Sequence, residues 1–314
     1  MLAWRIENGR VRVGERFAVS FQRTLRIPDD GRVYPLPAGL GSLPILPVAD
    51  YRDRIPESWG WHDGIFIPMY QGEAMWLGFE GASWKPNAVK VGAGSINAVA
   101  GAAWDEALHN HPQDYLVCPH QPWLDGISVG TGVIRQFVAV PLGEGQTIEG
   151  QLSGGQESGG VRILVFEPKP HRFPDQAPAR THQPSVMQEL PASAAMGLGA
   201  GGRMAQKIYP DPYGLDVWDP DNRGGVTAYV VNSIQYHELT GQQPPPSPVT
   251  PEMYAEQGLP WFELYDEERG ALRAAENLQR VKSIRELATE RGAVGHEPSI
   301  DDGSGAVEKL RPPE

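Results

Sequence analysis

Alternation of apolar and polar residues dominates the first part of the chain and predicts β-strands. The alternation that begins at Trp4 resumes at Val11, after Asn8-Gly9, a dipeptide typical of two-residue hairpin turns. Across residues 17–27 the apolar side chains share one parity and Ser, Gln, Thr and Arg take the other. A period of two with this segregation predicts a strand with one face in the core and one face in water.

Further short strands are predicted along the chain, each bounded by Gly, Pro or other turn residues. They cover residues 65–69, 74–79, 89–91, 115–117, 133–142, 161–166 and 227–234. Residues 35–48 carry Pro or Gly at nearly every second or third position and predict an extended loop packed on the body. Many short strands with frequent turns predict a mainly β fold, a β-sandwich or barrel-like body.

A C-terminal α-helix is predicted to complete this fold. Apolar residues recur at three- and four-residue steps across residues 267–291, and Gly292 follows where a helix C-cap belongs. Thr250 and Pro251 are the expected N-cap and first position of a shorter helix before it.

Changes in composition divide the chain into five predicted segments. These are a β-rich body over residues 1–166, a Pro/Ala/Gly-rich linker or long loop over 167–202, a continuation of the body over 203–250, a C-terminal helical segment over 251–292 and a flexible tail over 293–314.

Composition and charge narrow the functional classes. The chain has 314 residues and a formal charge of −12, and an acidic surface repels phosphate backbones, so nucleic acid is not expected as a partner. One cysteine, Cys118, allows no intrachain disulfide. The N-terminus lacks the basic start and apolar stretch of a signal peptide, and no apolar run approaches the ~18 residues of a membrane helix. We therefore expect a soluble, cytoplasmic protein without a membrane partner.

A nucleotide-binding motif is suggested by letters alone and fails in context. Leu152-Ser153-Gly154-Gly155-Gln156 resembles the signature loop of ABC-type ATPases, but none of the six lysines follows a glycine, so no P-loop is present. The run is followed by residues 161–166, which predict a strand instead of the helix that the ABC loop opens. The resemblance therefore carries over no function, and no nucleotide is expected.

Two groups of side chains are candidate metal ligands. His109 and His111 form one i, i+2 pair and Cys118 and His120 form another, which on neighbouring strands would supply four ligands to Zn²⁺. The alternative is a proline-rich surface loop with exposed imidazoles.

A second group of candidate ligands is acidic. Asp211, Asp216, Asp219 and Asp221 repel one another unless water or a cation such as Ca²⁺ screens them, although their spacing is not that of an EF-hand. The alternative is an acidic surface turn. Zn²⁺ and Ca²⁺ are thus the candidate ions, and no other cofactor is expected.

A serine in a hydrolase-like motif is the remaining catalytic candidate. Ser128 lies in Gly126-x-Ser128-x-Gly130, the letters of a nucleophile elbow, but a β-branched run follows where the elbow needs a helix. We therefore interpret the motif as a turn between strands and assign no catalytic residue.

Aromatic residues leave two interpretations open. Most of the tryptophans are expected to fill the core, and a minority of them could form a binding surface for a sugar, peptide or partner protein. The tryptophans to which both interpretations apply are Trp59, Trp61, Trp76, Trp84, Trp104, Trp123, Trp218 and Trp261. Because each catalytic motif fails in context, we predict a binding or assembly (scaffold) protein without catalysis, with a protein partner or self-association. The alternative is a metal-dependent enzyme that uses the His/Cys group or the Asp-rich loop.

Overall fold

The described part of the chain is mainly strand, with short helices. The computed structural model describes residues 1–56, 59, 64–154, 157–176, 194–264, 270–293 and 307–310. The first strands are β1 (Trp4–Glu7), β2 (Arg10–Val13), β3 (Phe17–Thr24), β4 (Val33–Tyr34), β5 (Leu36–Pro37), β6 (Gly39–Ser42), β7 (Leu46–Pro47), β8 (Gly64–Pro68), β9 (Ala74–Glu80), β10 (Asn87–Ala93) and β11 (Ile96–Asn97). They are followed by β12 (Leu116–Cys118), β13 (Trp123–Leu124), β14 (Gly126–Gly130), β15 (Val133–Pro141), β16 (Val161–Pro168), β17 (Ala194–Ala205), β18 (Trp218–Asn232), β19 (Trp261–Leu264) and β20 (Val307–Leu310). The helices are α1 (Ile148–Ser153), α2 (Ser233–Thr240), α3 (Pro251–Glu256), α4 (Glu276–Gln279) and α5 (Ile284–Glu290).

Large antiparallel sheets form a β-sandwich-like body, which confirms the predicted mainly β class. Seventeen of the described strands are linked by hydrogen bonds. One half runs in the order β2, β3, β9, β15, β17, and the other runs β12, β10, β16, β18, β8. The halves join where β17 pairs with β18, at Met196 and Val230. Strands β5, β19 and β20 form a small separate sheet.

One large core cluster lies between these two halves. Phe17 and Phe21 of β3 belong to it together with Val165 of β16 and Val226 of β18, and all four are buried. Burying each such side chain stabilises the fold by about 1.5–3 kcal/mol. The cluster therefore holds together two halves whose described strands pair with each other only at β17 and β18.

The predicted N-terminal hairpin is confirmed. β1 pairs with β2 in a register that sets Glu7 opposite Arg10. Asn8 and Gly9 connect them with φ of 52° and 69°, the two positive values that a type I′ turn requires. Asparagine and glycine tolerate this conformation, so the local sequence determines the turn.

The prediction that the polar face of β3 is exposed to solvent is wrong. Ser20, Gln22 and Thr24 share the polar parity, yet all three are buried. The segment containing β5 and β6 covers them: the Gln22 amide donates to Ser42 Oγ over 2.8 Å and Thr24 Oγ1 donates to the Ala38 carbonyl over 3.0 Å. The segment predicted as an extended loop thus contains short strands that form a second cover over the sheet.

The single long helix predicted over residues 267–291 is also wrong. In its place are α4 and α5, with residues 270–275 outside any helix and residues 265–269 outside the described ranges. Lys282 N–H donates to Gln151 Oε1 over 2.8 Å, and the Gln151 amide donates to the Lys282 carbonyl over 3.0 Å. Ser283 then caps α5 with Glu286 in a capping box, so the chain starts a new helix there.

Other segment boundaries shift as well. β17 begins at Ala194, so the end of the 167–202 segment is strand, while residues 177–193 of that segment lie outside the described ranges. β20 lies in the predicted tail. The shorter predicted helix is confirmed as α3, whose cap Thr250 accepts a hydrogen bond from Met253 N–H over 3.3 Å.

The outer face of the β10–β16–β18 layer carries two smaller apolar clusters. One contains Trp59 and Tyr229, and the other contains Leu164 and Trp218, with Trp104 packed against it. Among the helices that the structure describes, none has the length and apolar character needed to cross a bilayer.

Candidate functional site

A cleft of about 770 Å³ opens on the outer face of β16 and β18, between these two apolar clusters. Arg162 and Leu164 of β16 form its floor together with Gly225 and Thr227 of β18. The sheet register pairs Arg162 with Thr227 and Leu164 with Gly225, so the floor consists of two alternate pairs of one antiparallel ladder. Every second residue of a strand faces the same side, which is why these four share the cleft.

Aromatic side chains form two walls. Trp59 stacks on Tyr229 with ring centroids 4.5 Å apart and an interplanar angle of 8°. The Tyr229 hydroxyl donates to the Trp59 carbonyl over 2.8 Å, and burial raises the pKa of Tyr229. Trp104 forms the other wall from the side of β10. Because β16 lies between β10 and β18, the two walls stand on either side of the floor.

Glycine allows Trp104 to lie directly on β10. A Cβ atom at Gly92 would lie 2.7 Å from Trp104 Cε3, closer than carbon atoms approach. Gly92 is opposite Arg162 in the register. The indole of Trp104 therefore lies beside the Arg162 position of the floor.

A buried lysine fastens the Trp104 wall from below. Lys90 is 1% exposed, and its Nζ lies 5.6 Å from the Trp104 ring centroid. The ammonium donates to Asp105 Oδ1 over 2.6 Å and to the Ala107 carbonyl over 2.5 Å, and it lies 2.7 Å from Asp114 Oδ2. Partial burial raises the pKa of Asp105, but the hydrogen bonds from Lys90 and Ala107 N–H, together with the positive charge of Lys90, outweigh it and hold that pKa below its ordinary value. This ion-pair network ties the wall segment to β10.

Charged groups in the cleft are unevenly paired. Arg223 Nη2 lies 3.0 Å from Glu106 Oε2, an ion pair that spans from β18 to the wall segment of Trp104. Arg162 Nη2 donates to Ser158 Oγ over 3.3 Å. Within the described residues Arg162 has no carboxylate in ion-pair contact, and the carboxylate of Asp221 contacts no cation.

Ser158 at the cleft's edge has a carboxylate neighbour that is a weak base. Its hydroxyl donates to Glu149 Oε1 over 2.8 Å. Glu149 also accepts the backbone N–H groups of Ser95, Ser158 and Gly159. Burial raises the pKa of Glu149, but these hydrogen bonds together bring it below its ordinary value, so the carboxylate holds a proton poorly.

The residues predicted as zinc ligands have separate partners. His109 Nδ1 lies 2.8 Å from Asp114 Oδ2, and its Nε2 lies 3.6 Å from Asp105 Oδ2. His111 is exposed and contacts Asn110 Oδ1 over 2.7 Å. Cys118 is buried, its thiol donates to the Gln121 carbonyl over 3.4 Å, and burial raises its pKa. The His120 ring stacks on Tyr213 with centroids 5.5 Å apart.

One close group of three ligand-type side chains is present in the described ranges, and it consists of Asp105, His109 and Asp114. Of the eight predicted ligands it includes His109 alone. Lys90 Nζ already lies within 2.7 Å of both carboxylates, in the place where a cation would neutralise them. The Zn²⁺ hypothesis stays a prediction, and its ligands would have to rearrange.

Three of the four predicted calcium ligands, Asp211, Asp216 and Asp219, have carboxylates engaged with protein groups. The Asp211 carboxylate accepts from the Tyr115 hydroxyl over 2.6 Å, from Trp218 Nε1 over 2.9 Å and from Tyr213 N–H over 2.8 Å. Asp216 pairs with Arg172 over 2.8 Å. Asp219 Oδ1 accepts Asp221 N–H over 3.0 Å, as in an acidic turn. None of these four belongs to the close ligand group of the described residues, and the Ca²⁺ hypothesis also stays a prediction.

The serine motif lies within a strand. Ser128 is buried on β14, which pairs with β15 through a register shift between Ser128 and Gly130. The interpretation of the motif as a turn is therefore wrong, and the turn between β14 and β15 follows it at Thr131 and Gly132. No strand-to-helix corner, which a nucleophile elbow needs, is present at this position.

Sequence reasoning missed the cleft. Trp59 and Trp104 were among the tryptophans considered for a binding surface, and Trp61 lies outside the described ranges. Strand parity placed Arg162 and Leu164 on one face, which is the signal that was available. The boundaries of the apolar clusters on that face depend on residues more than fifty positions away in the sequence. The alternation of residues along one strand carries no information about such residues.

Searches against protein-family models, curated proteins and solved structures find no match to this chain.

Proposed function

We propose that this chain is a non-catalytic binding protein that holds its ligand in the cleft between Trp104 and the Trp59–Tyr229 pair. The observation that carries the proposal is the cleft itself: about 770 Å³ with aromatic walls and a sheet floor. Ligand sites in proteins typically have 300–1,000 Å³, a mostly apolar lining and a few polar groups that orient the ligand. The cleft has a volume in that range, and its lining combines aromatic walls with polar and charged groups.

The chemistry of the lining supports binding over catalysis. The lining residues that the structure describes include no His, Cys or Lys. Glu106 is paired with Arg223, and Ser158 donates to Glu149, a carboxylate whose pKa is low. Nucleophilic catalysis needs a nucleophile within reach of a competent base. The lining offers fixed dipoles, rings and the guanidinium of Arg162, which contacts no carboxylate among the described residues.

The positions of the two walls are supported by buried interactions. Lys90 ties the Trp104 segment to β10, and the Tyr229 hydroxyl ties Trp59 to β18. A cleft whose walls are already fixed loses little conformational entropy when a ligand enters.

The proposal includes a reducing, cytoplasmic setting, which the single buried thiol of Cys118 supports.

Filling the cleft tests the proposal. Thr227 is half-buried on the floor, so Thr227→Trp places an indole in the ligand's space, and Thr227→Val is the matched control of nearly unchanged volume. We would screen wild-type protein by thermal shift against planar and saccharide compounds, and measure each hit by calorimetry.

At least one compound is expected to bind wild type and Thr227→Val alike, and to bind Thr227→Trp about tenfold more weakly or worse. Unliganded melting temperatures establish that both variants fold. Hits that bind Thr227→Trp as tightly as wild type lie elsewhere on the molecule and would contradict the proposal, as would the absence of any hit.

A further inference from the structure

The cleft contains a cation that has no described ionic partner. Two arginines line it, and one of them, Arg223, is neutralised by Glu106. Arg162 is half-buried on the floor and makes no ion pair with a described carboxylate; its one described polar contact is the Ser158 hydroxyl, at 3.3 Å. A partly buried cation is screened by salt less than an exposed one. Of the two arginines, Arg162 is therefore the one whose charge an anionic ligand can complement.

The position of Arg162 places that charge beside an aromatic face. Gly92 is opposite Arg162 on one side, and Trp104 lies on Gly92. Thr227 is opposite Arg162 on the other side, and Tyr229 follows on the same face of β18. A flat ring over Leu164 would contact the Trp104 wall and still have its edge within reach of the guanidinium.

We propose that the cleft binds a planar aromatic carboxylate, with its ring against Trp104 and Leu164 and its carboxylate on the guanidinium of Arg162. This inference rests on the proposed function. A guanidinium presents two parallel N–H donors that match the two oxygens of a carboxylate. Aromatic rings pack against one another in offset or edge-on arrangements that an open-sided wall such as Trp104 permits.

The other charges of the cleft favour a monoanion. Glu106 and Asp221 also line the cleft, and a second negative charge on the ligand would approach one of them. A cationic ligand would meet Arg162 on the floor. The net charge of −12 repels anions at long range, but at physiological salt its field is screened within about 8 Å. The contact with Arg162 therefore determines whether an anionic ligand binds in the cleft.

Three matched compounds test the inference: naphthoate, its neutral amide naphthamide, and the cationic naphthylmethylamine. Their dissociation constants are measured by calorimetry at neutral pH and physiological salt with the full chain. Naphthoate is expected to bind at least about tenfold more tightly than naphthamide. In Arg162→Gln, which keeps a hydrogen-bonding amide but no charge, naphthoate is expected to bind no better than naphthamide does to wild type.

The remaining outcomes separate the two proposals. If all three compounds bind equally and Thr227→Trp weakens all of them, the cleft is a binding site and the carboxylate preference is wrong. If naphthoate binds wild type and Arg162→Gln equally, Arg162 has no role and the inference is wrong. If none of the three binds, the ligand class is wrong, and the wider compound screen alone decides the proposed function. Binding that is unchanged in Thr227→Trp overturns both.

Discussion

A buried carboxyl group at Asp125 gives the sharpest prediction about stability. Asp125 is 2% exposed and immediately precedes β14. Its Oδ2 accepts from Gln206 Nε2 over 2.6 Å, and its backbone N–H donates to Gln206 Oε1 over 3.1 Å. Burial raises the pKa of Asp125 from 3.8 to about 7, and the hydrogen bond from Gln206 offsets only part of that rise. The folded protein therefore holds a proton there that the unfolded chain loses near pH 4.

The sign and size of the effect follow from linkage. Because the pKa of Asp125 is raised by folding, the folded state binds more protons between the two values, and stability falls as pH rises from about 4 to about 7. The shift is about three units, and each unit corresponds to about 1.4 kcal/mol, so the full cost approaches about 4 kcal/mol. Asp125→Asn keeps the shape and an acceptor for Gln206 Nε2 but has no charge to bury.

Urea unfolding across pH measures this directly. Wild type and Asp125→Asn are expected to have similar free energies of unfolding near pH 4, and the variant is expected to be more stable by up to about 4 kcal/mol above about pH 7. All other titrating groups are common to both proteins, so the difference between the two curves isolates Asp125. Two parallel curves, or a difference that shrinks as pH rises, would refute the reasoning.

Two further predictions concern buried polar anchors. Lys90→Met is expected to cost about 3–5 kcal/mol in urea unfolding because it leaves the buried Asp114 carboxylate without the Lys90 ammonium. Lys85→Met, which breaks a pair with the exposed Asp175, is expected to have a much smaller effect, and equal losses in the two variants would contradict the burial argument. Gln121→Leu removes an amide that donates to the Lys207 carbonyl over 3.2 Å and accepts a hydrogen bond from Tyr209 N–H over 3.1 Å. We therefore expect a lower melting temperature and faster amide exchange at Tyr209, and no change in the surface control Gln279→Leu. Unchanged exchange at Tyr209 would show that the Gln121 amide does not hold this segment.

Short-range signals in the sequence predicted the local elements well. The hairpin at Asn8-Gly9, the strand at residues 161–166 and the capped start of α3 at Thr250 each depend on residues within a few positions of one another. Dihedral preferences, side-chain alternation and capping act over that distance. The capping-box pattern of Ser283 and Glu286 is also recognisable in the sequence, and it marks the start of a second helix within the predicted long one.

Predictions that needed the environment of a residue were less successful. The polar parity of β3 predicted exposure, but β6 returns to cover Gln22. The apolar repeat over residues 267–291 predicted one helix, but hydrogen bonds between Lys282 and Gln151 divide it. In both cases a hydrogen-bond partner distant in sequence determined the structure of the segment. Periodicity within one segment carries no information about such partners.

By itself the sequence determined that this chain builds β-structure from alternating segments with tight turns, and that its surface is acidic. Tertiary structure alone decided where a cleft lies, because Trp59, Trp104, Arg162 and Thr227 meet only when β10, β16 and β18 pair in register. The same tertiary packing joins Arg223 to Glu106 and leaves Arg162 without a carboxylate contact in the part of the chain that the structure describes. Alternation along one strand selects a face, but what covers that face, and what it leaves open, depends on where the rest of the chain packs.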